Sequence, residues 1–193
     1  ILEFFCLTPL PGSEDHKVLW QKGVWMDPDM NKYDLEHVVT GHSRMSQTEW
    51  EGVYASAWKT YYTFEHMETV LRRAAVFDLG VSHLSGLLYM FGKTVEAEGV
   101  HPLQSGLIRL KFRRDRRHGM PLESPLKFYP RYAKEFVVRY GRAAIDLLRL
   151  ERIRRRVLKN PQRYAYMDQA LTPVTGEETG TLELFSHNAA ARD

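Results

Sequence analysis

The spacing of apolar residues predicts helices over most of the chain. Trp50, Tyr54 and Trp58 are each four residues apart, a spacing that places side chains on one face of an α-helix. Similar apolar faces run through residues 64–74 and residues 132–148. The second half of the chain is therefore predicted to be mostly helical, with one long amphipathic helix that ends before residue 160.

Capping residues mark where several of these helices begin. Ser46 and Glu49 have the spacing of a capping box, in which each side chain accepts a hydrogen bond from the other residue's backbone N–H. Thr63 stands just before the next apolar face and is predicted to cap it. Ser13 is followed by two acidic residues, which the helix dipole favours in a first turn, so an earlier helix is predicted over residues 14–22.

Three weaker patterns lie between these helices. Residues 84–91 form a continuous apolar stretch that is expected to end at Gly92. This stretch is too short to cross a bilayer, which takes about 20 residues. Residues 101–114 predict another helix, and the proline-rich residues 119–130 predict a connector.

The beginning of the chain has a different pattern. Residues 1–7 are apolar and predict a buried strand, which the two prolines and the glycine of residues 8–12 bring to an end. The predicted fold is therefore α/β followed by mostly α. We expect residues 1–45 to form the α/β part, residues 46–160 a helical extension, and residues 161–193 a loosely structured tail.

Composition excludes several classes of protein. Hydrophobic residues make up 44 % of the chain and aromatic residues 12 %, which is sufficient for a packed core. The single cysteine, Cys6, excludes an intramolecular disulfide framework and a metal site built from cysteines alone. One cysteine suits a reducing compartment, so a cytoplasmic location is expected. Because the chain begins at Ile1, within an apolar run, we expect further sequence before it.

Residues 4–13, with the sequence FFCLTPLPGS, resemble the last barrel strand and the following loop of enzymes that use S-adenosylmethionine (SAM) for radical chemistry. Further segments resemble the cobalamin-binding subgroup of that radical SAM family. They are residues 26–37 (MDPDMNKYDLEH), 44–46 (RMS), 49–51 (EWE), 99–104 (GVHPLQ), 113–117 (RRDRR) and 128–132 (FYPRY).

The resemblance implies a fold, a reaction class and a cofactor contact. The fold would be the last strand, loop and helix of a partial (β/α) barrel, followed by a helical extension. The reaction would be methyl transfer to an unactivated carbon, or a radical rearrangement or cyclisation, with SAM, a 4Fe–4S cluster and, in this subgroup, cobalamin. Thr8, Pro9 and Leu10 would then lie beside the adenosyl group of SAM. The alternative for these three residues is a structural turn between strand and helix.

The cysteine motif that holds the cluster in this family, Cys-x3-Cys-x2-Cys, is absent from the chain. We therefore expect this chain alone to bind no cofactor and to be inactive. Cluster-binding and cobalamin-binding domains on preceding sequence of the same protein would be its partners. The alternative function is a helical interaction or peripheral membrane-docking module without catalysis of its own.

Many of the basic residues of the chain are concentrated in two clusters. Residues 109–117 and residues 149–159 each contain six Lys or Arg residues against a single acid. Together with the apolar residues 84–91, the first cluster is predicted to form a peripheral surface for anionic lipid. The residues assigned to that surface are Arg113, Arg114, Arg116 and Arg117. A solvated face is the alternative, and nucleic acid is less favoured because no stacking aromatics are interleaved with these arginines.

Two other sets of side chains invite a functional interpretation. Five aromatic residues line one helical region, and their spacing favours the core over a substrate channel. They are Trp50, Tyr54, Trp58, Tyr61 and Tyr62. Four histidines match no metal-binding spacing, so ordinary hydrogen bonding is favoured for them. They are His16, His37, His42 and His66.

Overall fold

The computed structural model of the chain describes residues 1–34, 36–105, 108–116 and 119–172. Within these residues the chain forms α-helices joined by loops and two short 3-10 turns, at Met30–Lys32 and Arg163–Ala165. The helices are α1 (Glu14–Gln21), α2 (Gln47–Tyr61), α3 (Phe64–Val76), α4 (Val81–Glu98), α5 (Pro102–Ser105) and α6 (Pro125–Lys159).

The core forms where α3, α4 and the last third of α6 meet. Leu71 of α3, Leu88 of α4 and Leu150 of α6 are fully buried there. Burial of a leucine side chain stabilises a fold by about 1.5–3 kcal/mol, so this contact is a major source of stability. Trp58 and Tyr62, at the end of α2, close the same core from one side.

The α/β prediction is wrong. Residues 1–7 form no strand, and no backbone–backbone hydrogen bond joins them to another part of the described chain. The sole β-bridge in the described chain is an isolated antiparallel one between Met26 and Thr40. A strand needs a neighbouring backbone with free N–H and C=O groups, and residues 2–8 lie instead against helix side chains and a loop. The described chain is therefore a mostly helical fold rather than the end of a (β/α) barrel.

Side-chain contacts hold the first residues on the helical domain. The Tyr62 hydroxyl donates a hydrogen bond to the carbonyl oxygen of Leu2 at 2.6 Å. The Phe4 ring meets the Trp58 ring edge-on, with 5.3 Å between the ring centroids. The apolar character of this segment is therefore used in packing against α2 and not in a sheet.

The predicted helix starts are confirmed. Ser13 accepts a hydrogen bond from the first turn of α1, and Thr63 does the same for α3. Both hydrogen bonds of the capping box at Ser46 and Glu49 are present. Each cap satisfies backbone N–H groups that have no partner inside the helix.

Three other helix boundaries differ from the prediction. The fourth helix, α4, does not end at Gly92 but continues to Glu98. Gly92 lies within this helix, where the lack of a side chain makes room for the Tyr62 ring. Among the described residues of 101–114 the one helix is the short α5, and residues 108–112 belong to neither a helix nor a strand. The last helix, α6, already begins at Pro125, where a proline is tolerated because the first-turn N–H groups have no intrahelical partner.

Residues 161–172, predicted to be loose, pack on α3. Arg73 forms an ion pair of 2.7 Å with Asp168, and the Arg72 guanidinium lies 5.6 Å from the centre of the Tyr166 ring. The rest of the predicted tail, residues 173–193, lies outside the described residues. None of the described helices is both long enough and apolar enough to cross a membrane.

Replacement of Gly92 tests the packing of α2 against α4. A Cβ atom at this position would lie 2.6 Å from Cδ1 of the buried Tyr62 ring. We expect Gly92→Ala to lower the free energy of unfolding by about 1–3 kcal/mol, measured by chemical denaturation, because the core cannot accept the extra atom. The matched control is Gly86→Ala on the same helix, where a Cβ would meet nothing within 4 Å.

The control should become more stable by about 0.5–1 kcal/mol, because alanine favours the helix over glycine. An equal gain in stability for both variants would contradict the packing at Gly92.

Candidate functional site

A cavity of about 800 Å³ opens between α2, α3 and α4 beside the loop that contains Glu36 and His37. Four aromatic side chains provide much of its wall: Tyr54, Trp58, Tyr62 and Phe64. Cavities of this size and aromatic character are typical of small-molecule sites, so this is the candidate site of the described chain.

The aromatic wall belongs to the core and to the cavity at once. Trp58 and Tyr62 are buried, with stacked rings whose centroids are 5.5 Å apart, which confirms the prediction of a core role for these two. Tyr54 is half-buried and packs on Trp58. Trp50 and Tyr61 do not line the cavity: Trp50 lies against His42, and Tyr61 against His66.

Two cations flank one aromatic ring at the cavity edge. The Lys93 ammonium lies 4.7 Å and the Arg149 guanidinium 4.1 Å from the centre of the Phe64 ring, within the range of cation–π attraction. Lys93 also forms an ion pair of 2.7 Å with Glu96. Among the described residues no carboxylate lies within ion-pair distance of Arg149, so its charge is available to an anionic group in the cavity.

Glu36 places a buried carboxyl group at the other edge. One of its carboxylate oxygens is buried and has no hydrogen-bond partner among the described residues. Burial raises the pKa of Glu36 above its ordinary value, and the nearby charge of Asp34 adds to the effect. A carboxyl group in these surroundings is suited to hold a proton at the cavity.

Cys6 lies directly behind Glu36. Its thiol is buried and donates a hydrogen bond of 3.3 Å to the backbone carbonyl of Glu36. Burial, with the negative charge of Asp34 next in importance, raises the pKa of Cys6 to about 11. Because the thiolate is the form that attacks electrophiles and binds metals, Cys6 is inert at neutral pH.

The predicted SAM-proximal loop is braced from its inner side. The Thr8 hydroxyl donates a hydrogen bond of 2.7 Å to the carbonyl of Asp34, and Pro9 is buried. Leu10 points outward and is 60 % exposed. Gly12 turns the chain with a φ of +88°, a conformation that L side chains rarely adopt. Thr8 therefore positions the loop, while Leu10 is its exposed apolar side chain.

The four histidines singled out from the sequence lie apart. His37 pairs with Asp34 at 2.7 Å, His16 lies near the Tyr33 ring, and the other two pack on aromatic rings of α2. Within the described residues, no group of three His, Cys, Asp or Glu side chains is arranged to hold a metal ion.

The apolar half of the predicted lipid surface is wrong. Residues 84–91 form the middle of α4, where Leu88 and Phe91 are buried in the core, because the apolar positions of this helix face α3 and α6. Of the basic residues, Arg116 pairs with Glu123 at 3.0 Å, and Arg113 donates to the Glu123 carbonyl. Arg114 is exposed, and Arg117 lies outside the described residues.

His101 is a buried polar residue that the sequence did not single out as a site. Its ring stacks on Phe5 with 4.9 Å between centroids. Its Nδ1 accepts a hydrogen bond from the Leu103 N–H, so the proton of the neutral ring lies on Nε2, which has no partner among the described residues. The sequence offered no reason to place His101, Lys93 or Arg149 at a site, because their partners are distant in sequence.

Comparison of the chain with protein-family models, with curated proteins and with solved structures found no match. The functional interpretation therefore depends on the residues and contacts described above.

The Cys6 environment predicts slow thiol chemistry. At about pH 8 we expect iodoacetamide to modify Cys6 roughly 100-fold more slowly in the folded chain than in the chain unfolded in guanidinium, because burial suppresses the thiolate. Mass spectrometry of timed samples gives both rates. Similar rates in the folded and unfolded states would show that the thiol is accessible and ionised.

The burial of His101 predicts a pH-dependent stability. Burial lowers the pKa of His101, so the unfolded state binds a proton that the folded state binds less readily. The free energy of unfolding should therefore be highest above the unfolded pKa, near 6.5, and fall as the pH drops below it, by up to about 1.4 kcal/mol per pH unit.

His101→Phe keeps a ring beside Phe5 but cannot titrate, so its stability profile should be flatter in chemical denaturation between about pH 7 and pH 5. His83→Gln, at an exposed position of α4, is the control and should keep the original slope. If His101→Phe also keeps that slope, the proposed origin of the pH dependence is wrong.

Proposed function

We propose that this chain is the carboxyl-terminal part of an enzyme that uses SAM for radical chemistry. The observation that carries the proposal is the segment at residues 4–13, with its Thr-Pro-Leu-Pro-Gly loop. Its resemblance to the SAM-proximal loop of radical SAM enzymes extends to further segments of the helical domain.

The geometry of the loop is compatible with that role. Thr8 and Pro9 fix the loop from inside, while Leu7 and Leu10 present apolar side chains to the outside, 77 % and 60 % exposed. Exposed apolar side chains on a fixed loop are suited to contact a purine ring or another domain. In this proposal Leu10 touches the adenosyl group and Thr8 is a positioning residue.

The other cofactors of the family do not fit residues of this chain. The single cysteine is buried and has a raised pKa, and a 4Fe–4S cluster in this family needs three thiolates. No described residue suggests a cobalamin site. In our proposal the cluster and the cobalamin, if one is used, are bound by other parts of the same protein.

The cavity is the proposed place for the substrate. It is linked to the loop through Glu36, whose backbone carbonyl accepts the Cys6 hydrogen bond and which is itself one of the residues that line the cavity. An aromatic wall with Arg149 at its edge suits a substrate with an apolar body and an anionic group. Methyl transfer, rearrangement and cyclisation all remain open as the reaction.

The test uses the protein expressed from its complete reading frame and purified under anaerobic conditions with its cluster. We expect reductive cleavage of SAM to methionine and a deoxyadenosine product. We expect Leu10→Asp to weaken SAM binding roughly 10-fold or more, because a charge would replace an apolar contact. Isothermal titration calorimetry and product analysis give the two quantities.

Leu79→Asp is the control for this experiment. Leu79 is as exposed as Leu10 but lies in the turn between α3 and α4, so this variant should bind SAM normally. A reading frame without a Cys-x3-Cys-x2-Cys motif, or a protein that does not cleave SAM, would contradict the proposal and favour a helical module without catalysis.

A further inference from the structure

A segment beside α6, residues 108–112, exposes alternating apolar and basic side chains. Ile108, Leu110 and Phe112 are exposed, and Arg109 and Lys111 stand between them and are exposed as well. None of the three large apolar side chains belongs to the core of the described chain.

Hydrogen bonds hold this segment along the helix. The backbone N–H of Arg109 donates to the Tyr140 hydroxyl at 2.9 Å, and the N–H of Lys111 donates to the Tyr132 hydroxyl at 3.3 Å. The Tyr140 hydroxyl in turn donates to the carboxylate of Glu98, whose side chain is almost completely buried. The segment is thus tied to α6 by its backbone, and its apolar side chains remain exposed.

The outer face of α6 carries a second set of exposed apolar side chains. Leu126, Val137 and Leu148 are 87 %, 68 % and 58 % exposed. Each is eleven residues from the next, which is three helical turns, so they stand in line on one side of the helix. At 1.5 Å per residue the line is about 33 Å long. Ala133 and Ala144 lie between them and are also exposed.

Exposed basic side chains lie along the same part of α6. They are Lys127, Arg131, Lys134 and Arg142. Arg131 pairs with Glu123 at 2.7 Å and lies 3.7 Å from Glu135, the one exposed acid of this part of the helix, so the excess charge comes mainly from the other three. The outer surface of α6 and the segment at residues 108–112 therefore combine large apolar side chains with an excess of positive charge.

We propose that this surface, the outer face of α6 together with residues 108–112, binds the headgroup region of a membrane that contains anionic phospholipid. A helix with an apolar line and basic flanks lies in the plane of such an interface, with its apolar side chains inserted shallowly. Each basic residue near an anionic leaflet contributes about 1 kcal/mol. Apolar and basic side chains act there together.

Other partners fit the surface less well. Nucleic acid would engage the basic residues through its phosphates, but the exposed Leu126, Val137 and Leu148 would gain nothing from phosphate contact. A second copy of the chain would cover the apolar line, but it would bring two rows of basic side chains together, and these repel each other. An anionic lipid surface satisfies both kinds of side chain.

The test is co-sedimentation of the whole chain with vesicles. Vesicles of phosphatidylcholine with phosphatidylserine should bind the chain, and vesicles of phosphatidylcholine alone should bind it at least 10-fold more weakly. Binding should weaken as salt is raised, because salt screens the charge attraction. Leu126→Trp adds a fifth tryptophan to the four of the chain, and the difference between its emission spectrum and that of the unaltered chain should shift to the blue on the anionic vesicles.

Two variants separate the apolar and basic contributions. The triple variant Lys127→Gln, Lys134→Gln, Arg142→Gln should lose binding on the order of 100-fold and keep its circular dichroism spectrum. The variant Val137→Gln, Leu148→Gln should lose roughly 10-fold or more, without a change in salt dependence. The charge-matched control, with Lys22→Gln, Arg44→Gln and Lys59→Gln at exposed positions elsewhere, should keep at least a third of the original affinity.

Several results would overturn the proposal. One is a folded chain that binds neither vesicle, and another is equal loss of binding in the triple variant and its charge-matched control. A dimer in analytical ultracentrifugation that Val137→Gln, Leu148→Gln dissociates would assign the surface to a second copy. These outcomes are independent of SAM cleavage, so failure here leaves the proposed enzyme function unaffected.

Discussion

The burial of the last third of α6 between α3 and α4 is the contact on which the rest of the structure depends. Leu150, Ile153 and Val157 enter the core there. Because α6 is one continuous helix of 35 residues, fixing its end also fixes the direction of the other two thirds, over about 35 Å. The exposed outer face of α6 and the position of residues 108–112 follow from this one contact.

A buried polar cluster extends that contact toward the beginning of α6. The Glu98 carboxylate, at the end of α4, pairs with Arg139 at 3.0 Å and accepts the Tyr140 hydroxyl. A buried carboxylate without partners would be costly, whereas a paired one is tolerated. The Tyr140 oxygen also accepts a hydrogen bond from the Arg109 N–H. One cluster therefore joins α4, α6 and the segment at residues 108–112.

The candidate cavity shows what the sequence could and could not reveal about a site. Aromatic residues at helical spacing predicted the core role of Trp58 and Tyr62, because the same face repeats every turn. That these rings also wall a cavity depends on Phe64, Lys93 and Arg149, which three different helices contribute. A local sequence pattern cannot show that residues of different helices lie close together. For the same reason none indicated the buried carboxylate oxygen of Glu36.

By itself the sequence determined where α1, α2 and α3 begin and excluded a cluster of cysteines, since helix caps and the cysteine count can be read locally. The sequence led to wrong predictions for residues 1–7 and 84–91, because an apolar run looks the same whether it forms a strand, a membrane-binding surface or part of a helical core. Only the tertiary structure decided between these. In the folded chain residues 1–7 pack against side chains of α2, whereas a strand would need a neighbouring backbone. Leu88 is buried between α3 and α6.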